Sequence, residues 1–398
     1  MKKKFLGVIL TLVLFLGCGT VFAAEAEAPA EPAPAVIVPN MNFTGEAISL
    51  SLEDAVARIT SAGPGYESAL LAKETLDAQA KGQEDLWAAW RAASNAMMGV
   101  PSSALTATIN PTKTVEAKIV KITRPYLVDQ AVIGFEIDLN NLIYDTTKVY
   151  HSVLQAAELL RISQDNLQVQ KDILSNTNKK FELGVVSKMD VLSAESAVQE
   201  AAVRVNTAES NLKSAKMSFN MQLDYPLMQN VVLTDSLEMA VTGPIDLASS
   251  VKAALATRNE LNQLAYRLES TNITLESKFN SSRYSADYLT AALDVKQTEK
   301  LLKDAKTGIE LEIRSKYMSI QNLTDEIAAA KKTVANAQEG YRLADLSYTA
   351  GVSTLVDVQN TQLASYQAQL GLASKTLEYN LAVSDFTIAT GYGKGAAK

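Results

Sequence analysis

The chain has 398 residues and a formal net charge of −7, with ten prolines, one histidine and one cysteine. So few histidines and cysteines leave no set for a metal centre, a catalytic triad or a disulfide framework. An acidic chain without a basic stripe is a poor partner for nucleic acid.

In chain order, Met1 to Ala23 joins a lysine cluster to an apolar run from Phe5 to Phe22, and reads as a secretory signal rather than a spanning helix. Val21-Phe22-Ala23 fits cleavage after Ala23, whereas Leu16-Gly17-Cys18 supports a rival reading with Cys18 lipidated. Either way the chain is exported, and loss of Lys2, Lys3 and Lys4 with the leader takes the charge from −7 to −10. Residues 24–45, rich in Ala, Glu and Pro, read as a disordered linker.

Helical pattern opens at Ser51-Leu52-Glu53-Asp54-Ala55, where Ser51 and Asp54 have capping-box spacing. Gly63-Pro64-Gly65 interrupts it, and a second helical segment runs from about Tyr66 to Met98. Residues 99–138 hold Pro101, Pro111 and Pro125, and the alternating run Val115-Glu-Ala-Lys-Ile-Val-Lys121 suggests a strand. No proline follows between Tyr126 and Tyr225 or after Ile245, so long helices are permitted. Val191, Val198, Val205 and Leu212, each followed three residues later by Ala, form a heptad seam, and Val153, Leu160, Leu167, Leu174 and Phe181 form another.

One stretch occurs twice. Phe181-Glu-Leu-Gly184-Val185-Val-Ser187-Lys-Met-Asp190-Val191 matches Tyr348-Thr-Ala-Gly351-Val352-Ser-Thr354-Leu-Val-Asp357-Val358 at an offset of 167 residues. The same offset pairs Tyr150 with Tyr317 and Phe219 with Phe386. The duplication predicts two repeats, 46–243 and 244–393, followed by a tail at 394–398. The fold class expected is mainly α: long antiparallel coiled-coil hairpins with glycine turns and, at most, a small or truncated β-hairpin region.

This duplicated motif, the Arg258-Asn259-Glu260-Leu261 opening and the Thr390-Gly391 ending resemble the outer membrane efflux protein (TolC-like) family. The resemblance implies a homotrimer whose helices close a tunnel beneath an outer-membrane barrel. It also implies a periplasmic adaptor and an inner-membrane pump as partners, no cofactor and no catalysis. By motif position Gly184, Val185, Gly351 and Val352 become the tips that meet the adaptor. Asp357, Asn360, Asp190 and Tyr348 become the tunnel entrance, with an Asp190–Tyr348 hydrogen bond holding it shut. The barrel departs from the family pattern. Glu116, Lys118, Lys121 and Arg124 suit lipid poorly, and Phe279 to Leu302 reads as continuous helix. The chain therefore looks barrel-poor, ending at the membrane or wall rather than crossing it.

Other readings are plainer. A rod-like envelope tether is the rival function. Asp190 and Asp357 also suit helix N-termini, Tyr348 and Phe181 suit packing, and His151 has no second ligand nearby in sequence. Trp87 and Trp90 suit either a membrane-interface belt or packing.

Overall fold

The computed structural model describes residues 42–96, 111–240, 243–279 and 282–393. The signal, Cys18, most of the linker and the 394–398 tail lie outside the described residues, as does the 97–110 portion of the expected β region.

The chain is built around two very long helices. Strand β1 (Thr44–Leu50) leads into α1 (Leu52–Ile59) and α2 (Pro64–Ala96), and then into α3 (Pro111–Glu182) and α4 (Lys188–Gln222). Strand β2 (Gln229–Leu233) opens the link to the second half, which contains α5 (Leu247–Thr257), α6 (Asn259–Ser277), α7 (Ala286–Thr349) and α8 (Leu355–Thr390). With 72 residues, α3 extends for about 108 Å at 1.5 Å per residue. Its N-terminal half packs on α2 and its C-terminal half on α4; α7 does the same with α6 and α8. Each repeat is thus one long helix backed by shorter partners arranged end to end, and α3 joins the repeats by packing on α6 and α8. The mainly α, duplicated coiled-coil fold is the one expected.

Local chemistry explains the helix starts. Ser51 caps α1, with Asp54 closing the capping box in both directions, and Pro64 stands where a missing N–H costs nothing. Asp246 caps α5 through the amides of Ala248 and Ser249. Waist and core follow from the same residues. Phe219, Tyr150 and Leu223 are fully buried with Leu50, Val153 and Val231, and β1 pairs with β2 in parallel beside them. In the second half Ile309, Ile313, Ile320 and Ile327 make the matching core with Tyr379 and Phe386.

Three expectations are corrected. Val115 to Lys121 is helix, within α3. Ala117 is buried there while Lys118 and Arg124 reach Glu276 and Glu84 across the surface, so packing between α2 and α6 overrides the alternating pattern. Phe279 to Leu302 is not continuous helix: α6 ends at Ser277, and Ser285 caps a fresh start by accepting from the Tyr288 amide. The linker expected over residues 24–45 stops short of its expected end, since β1 begins at Thr44. Among the described residues β1 and β2 are the only strands, and no helix is long and apolar enough to cross a membrane.

Candidate functional site: the paired glycine turns

The two glycine turns lie at the same end of the molecule. Ile173 of α3, Ala194 of α4, Tyr348 of α7, and Leu355 and Val358 of α8 form one buried cluster just behind them. Gly184 has φ +70° and Gly351 φ +77°, the left-handed conformation that glycine adopts without a Cβ penalty. Both helices end in a Schellman motif. Gly184 N–H donates to Phe181 O and Val185 N–H to Lys180 O, while Gly351 N–H donates to Tyr348 O and Val352 N–H to Ser347 O. Two residues further on, both returning helices open with a capping box. Asp190 Oδ2 accepts from the Ser187 amide and hydroxyl, each at 2.8 Å. Asp357 Oδ2 accepts from the Thr354 amide at 2.9 Å and hydroxyl at 2.7 Å. The duplication extends to the individual hydrogen bonds.

These bonds define what the aspartates do within one chain. The backbone and side-chain hydrogen bonds from Thr354 hold the Asp357 carboxyl below its ordinary value, so it is an anion at neutral pH. The plainer reading of both aspartates, as helix N-terminal acids, is what the geometry displays. Asn360 is exposed one turn beyond Asp357. Tyr348 is buried, with its hydroxyl 3.2 Å from Thr177 Oγ1. Lys180 Nζ lies 3.7 Å from the Tyr348 ring centre and donates to the Tyr348 carbonyl. The expected Asp190–Tyr348 bond is therefore absent here, because each group already has a nearer partner.

The crest of the turns is apolar and open. Leu183, Val185 and Val352 are 78%, 64% and 83% exposed, with Met189 beside them. A Schellman motif ordinarily packs the residue after its glycine against the preceding helix turn; here both valines are left bare.

Sequence reading missed a polar ladder behind the tips. Gln170 Nε2 donates to Gln362 Oε1 at 2.9 Å, Gln362 donates on to Asn166, and Ser163 meets the Tyr366 hydroxyl at 3.3 Å, all buried between α3 and α8. At the waist, Tyr150 donates to Asp235 at 2.7 Å, and burial followed by that carboxylate pushes its pKa well above the ordinary phenol value. His151 is half-buried, and that desolvation lowers its pKa against the opposing pull of the Asp235 carboxylate. Arg258 is buried at the α5–α6 bend, where it pairs with Glu260 and Glu312 and donates to the Ala389 carbonyl. Burial disfavours its charge, but those two carboxylates outweigh burial and raise its pKa.

Residues 279–391 match the model of the family described as outer membrane efflux protein. Among curated proteins, the outer membrane protein TolC of Escherichia coli (strain K12) is 21% identical over 316 residues, 66% of this chain and 63% of that protein. The chain thus spans less than two thirds of that relative's length. Among solved structures, a membrane protein from Pseudomonas aeruginosa aligns over 87% of this chain and 92% of its own, with TM-score 0.65 and 13% identity. The outer membrane protein VceC from Vibrio cholerae aligns over 86% of this chain and 97% of its own, with TM-score 0.65 and 11% identity. The resemblance carried by the twin glycine motif is borne out: this chain has the fold of the TolC-like channels, and its second repeat matches the outer membrane efflux protein family.

Proposed function

We propose that this chain is the passive duct component of an efflux or type I secretion system, exported to the outer membrane and periplasm, and that it performs no catalysis. The observation that carries the reading is the pair of bare apolar crests at one end, Val185 and Val352 beside identical glycine turns. The family match and the TolC-like fold of the solved neighbours support it.

In this reading three protomers close a helical tunnel. An adaptor grips Gly184, Val185, Gly351 and Val352, while an inner-membrane pump supplies the energy. Asp357, repeated three times about the axis, makes an anionic ring at the entrance, with Asn360 as a neutral ring behind it. Asp190 and Tyr348 flank that entrance. Like charges crowded on an axis favour cations.

The test combines assembly with conductance. Native mass measurement of the purified chain should give trimers, and planar bilayers should show cation-selective channels whose selectivity weakens in Asp357→Ala. A chain that stays monomeric at every concentration and conducts nothing would overturn the duct and leave a rod.

A further inference from the structure

The buried ladder between α3 and α8 does not end in satisfied groups. Gln170 donates to Gln362, and Gln362 donates on to Asn166. The other half of each end amide, Gln170 Oε1 and Asn166 Nδ2, has no hydrogen-bond partner within the protein. These side chains are only 7% and 4% exposed, so a bare polar atom there carries a full desolvation cost. Turning all three amides over keeps both ladder bonds and exchanges the ends, placing the oxygen at Asn166 and the N–H at Gln170. In either direction the ladder presents one donor and one acceptor.

Both ends line one cavity of about 240 Å³. Ser193, Ala197 and Ala201 of α4 form part of its wall, and their small side chains are what leaves the space. From α8 comes Gln359, whose Oε1 accepts from Ser193 at 3.3 Å while its buried Nε2 has no partner. Arg204 and Glu200 also line the cavity, both solvent-accessible and 3.7 Å apart. Arg204 is steadied by the Tyr366 ring, whose centre lies 5.4 Å from its guanidinium carbon.

We propose that this cavity binds a small neutral polyol, between glycerol and a monosaccharide in size. A hydroxyl both donates and accepts, so it serves either end of the ladder and the Gln359 amide as well. Arg204 and Glu200 offset one another, which leaves neither an anion nor a cation a net attraction. An apolar ligand would leave the buried amides unpaired. The volume falls below the roughly 300–1,000 Å³ of drug-sized pockets, which sets the size of the ligand. All the walls come from α3, α4 and α8 of one chain, so the proposal goes beyond the duct reading and stands without it.

The test is direct binding to the purified chain, by saturation-transfer NMR and calorimetry. The probes are glycerol, myo-inositol and D-glucose, with sulfate and tetramethylammonium as charged comparisons. At least one polyol should bind saturably in the millimolar range, and high salt should leave that binding unchanged. A crystal of the complex should place hydroxyls within hydrogen-bond reach of Asn166 and Gln170.

Two variants locate the site, with helix content by circular dichroism as the folding control. Gln170→Leu removes one end of the ladder. Ala197→Leu fills the cavity with a good helix former and leaves every ladder amide in place. Each should lower polyol affinity about tenfold or more. Ordered water alone in the cavity, with no saturable response to any polyol, would overturn the proposal. So would tighter binding of sulfate or tetramethylammonium than of the polyols, or polyol binding that Ala197→Leu leaves intact.

Discussion

The two repeats agree closely in one place and diverge in another. At the turns they share the left-handed glycine, the Schellman bonds and the capping box. Along the helices the same 167-residue offset pairs buried groups with open ones. Asn166, Gln170 and Gln362 are buried, while their counterparts Thr333 and Glu195 are exposed and Ala337 is half-buried. Tyr150 is fully buried, whereas Tyr317 is half-exposed. A duplicated hairpin needs the same turn twice, because the turn is local chemistry. A helix flank faces a different neighbour in each copy, so its side chains are free to diverge.

The comparison is tested most severely in the core. Phe219→Ala should cost about 3–5 kcal/mol in urea unfolding, since the ring is fully buried against Tyr150 and Leu223. Phe386→Ala, at the equivalent position with 6% exposure, should fall in the lower part of that range. A negligible loss at Phe219 would mean the waist is not packed as described.

The polar ladder comes next. Gln362→Ala removes the partner of both Asn166 and Gln170 and leaves buried amides unpaired, at a cost of about 1–3 kcal/mol. Its repeat counterpart Glu195 is exposed, and Glu195→Ala should stay within about 0.5 kcal/mol of wild type. Equal losses at the two positions would show that the repeats bury the same flank after all.

The turns should then behave as twins. Gly184→Ala and Gly351→Ala each place a Cβ at positive φ, with open space around it, so the cost is conformational, about 1–2 kcal/mol. The two values should agree, measured as the shift in urea midpoint. A large difference would show that one turn is shaped by its surroundings rather than by its own residues.

Legibility from sequence follows this division between local and distant causes. Gly184, Gly351, Asp190, Asp357 and the capping Ser51 act on backbone within a few positions, so their spacing alone announces the turns and helix starts, to which the structure adds the caps Ser187 and Thr354. The α4 seam was equally readable, as Val191, Ala194, Ala201, Val205 and Ala208 are all buried. The ladder was hidden because Asn and Gln ordinarily mark a solvent face, and here each pairs with a residue nearly 200 positions away. The β1–β2 pair was hidden likewise, since each short strand is completed only by the other. The exposed valines at the turns were named from the family motif, yet nothing local distinguishes a bare valine from a packed one.

The smallest expected effect is also the one that separates the two roles offered for the aspartates. Ser187→Ala and Thr354→Ala should each cost about 1 kcal/mol through loss of a cap. Hydrogen bonds from Thr354 lower the Asp357 pKa in the folded chain below the 3.8 of a free carboxyl. A depressed folded value means the carboxylate contributes stability above the unfolded pKa, and that contribution is lost as pH falls through the folded one. The stability difference between wild type and Asp357→Asn should therefore be constant at neutral pH and shrink only on acidification below 3.8. Crowding of three such carboxylates about an axis acts in the opposite direction, raising their pKa. If the assembled protein shows the Asp357→Asn difference fading well above 3.8, repulsion in the ring exceeds the cap. If the fade occurs at the same low pH in monomer and assembly, Asp357 serves its own helix and the entrance ring carries no charge coupling.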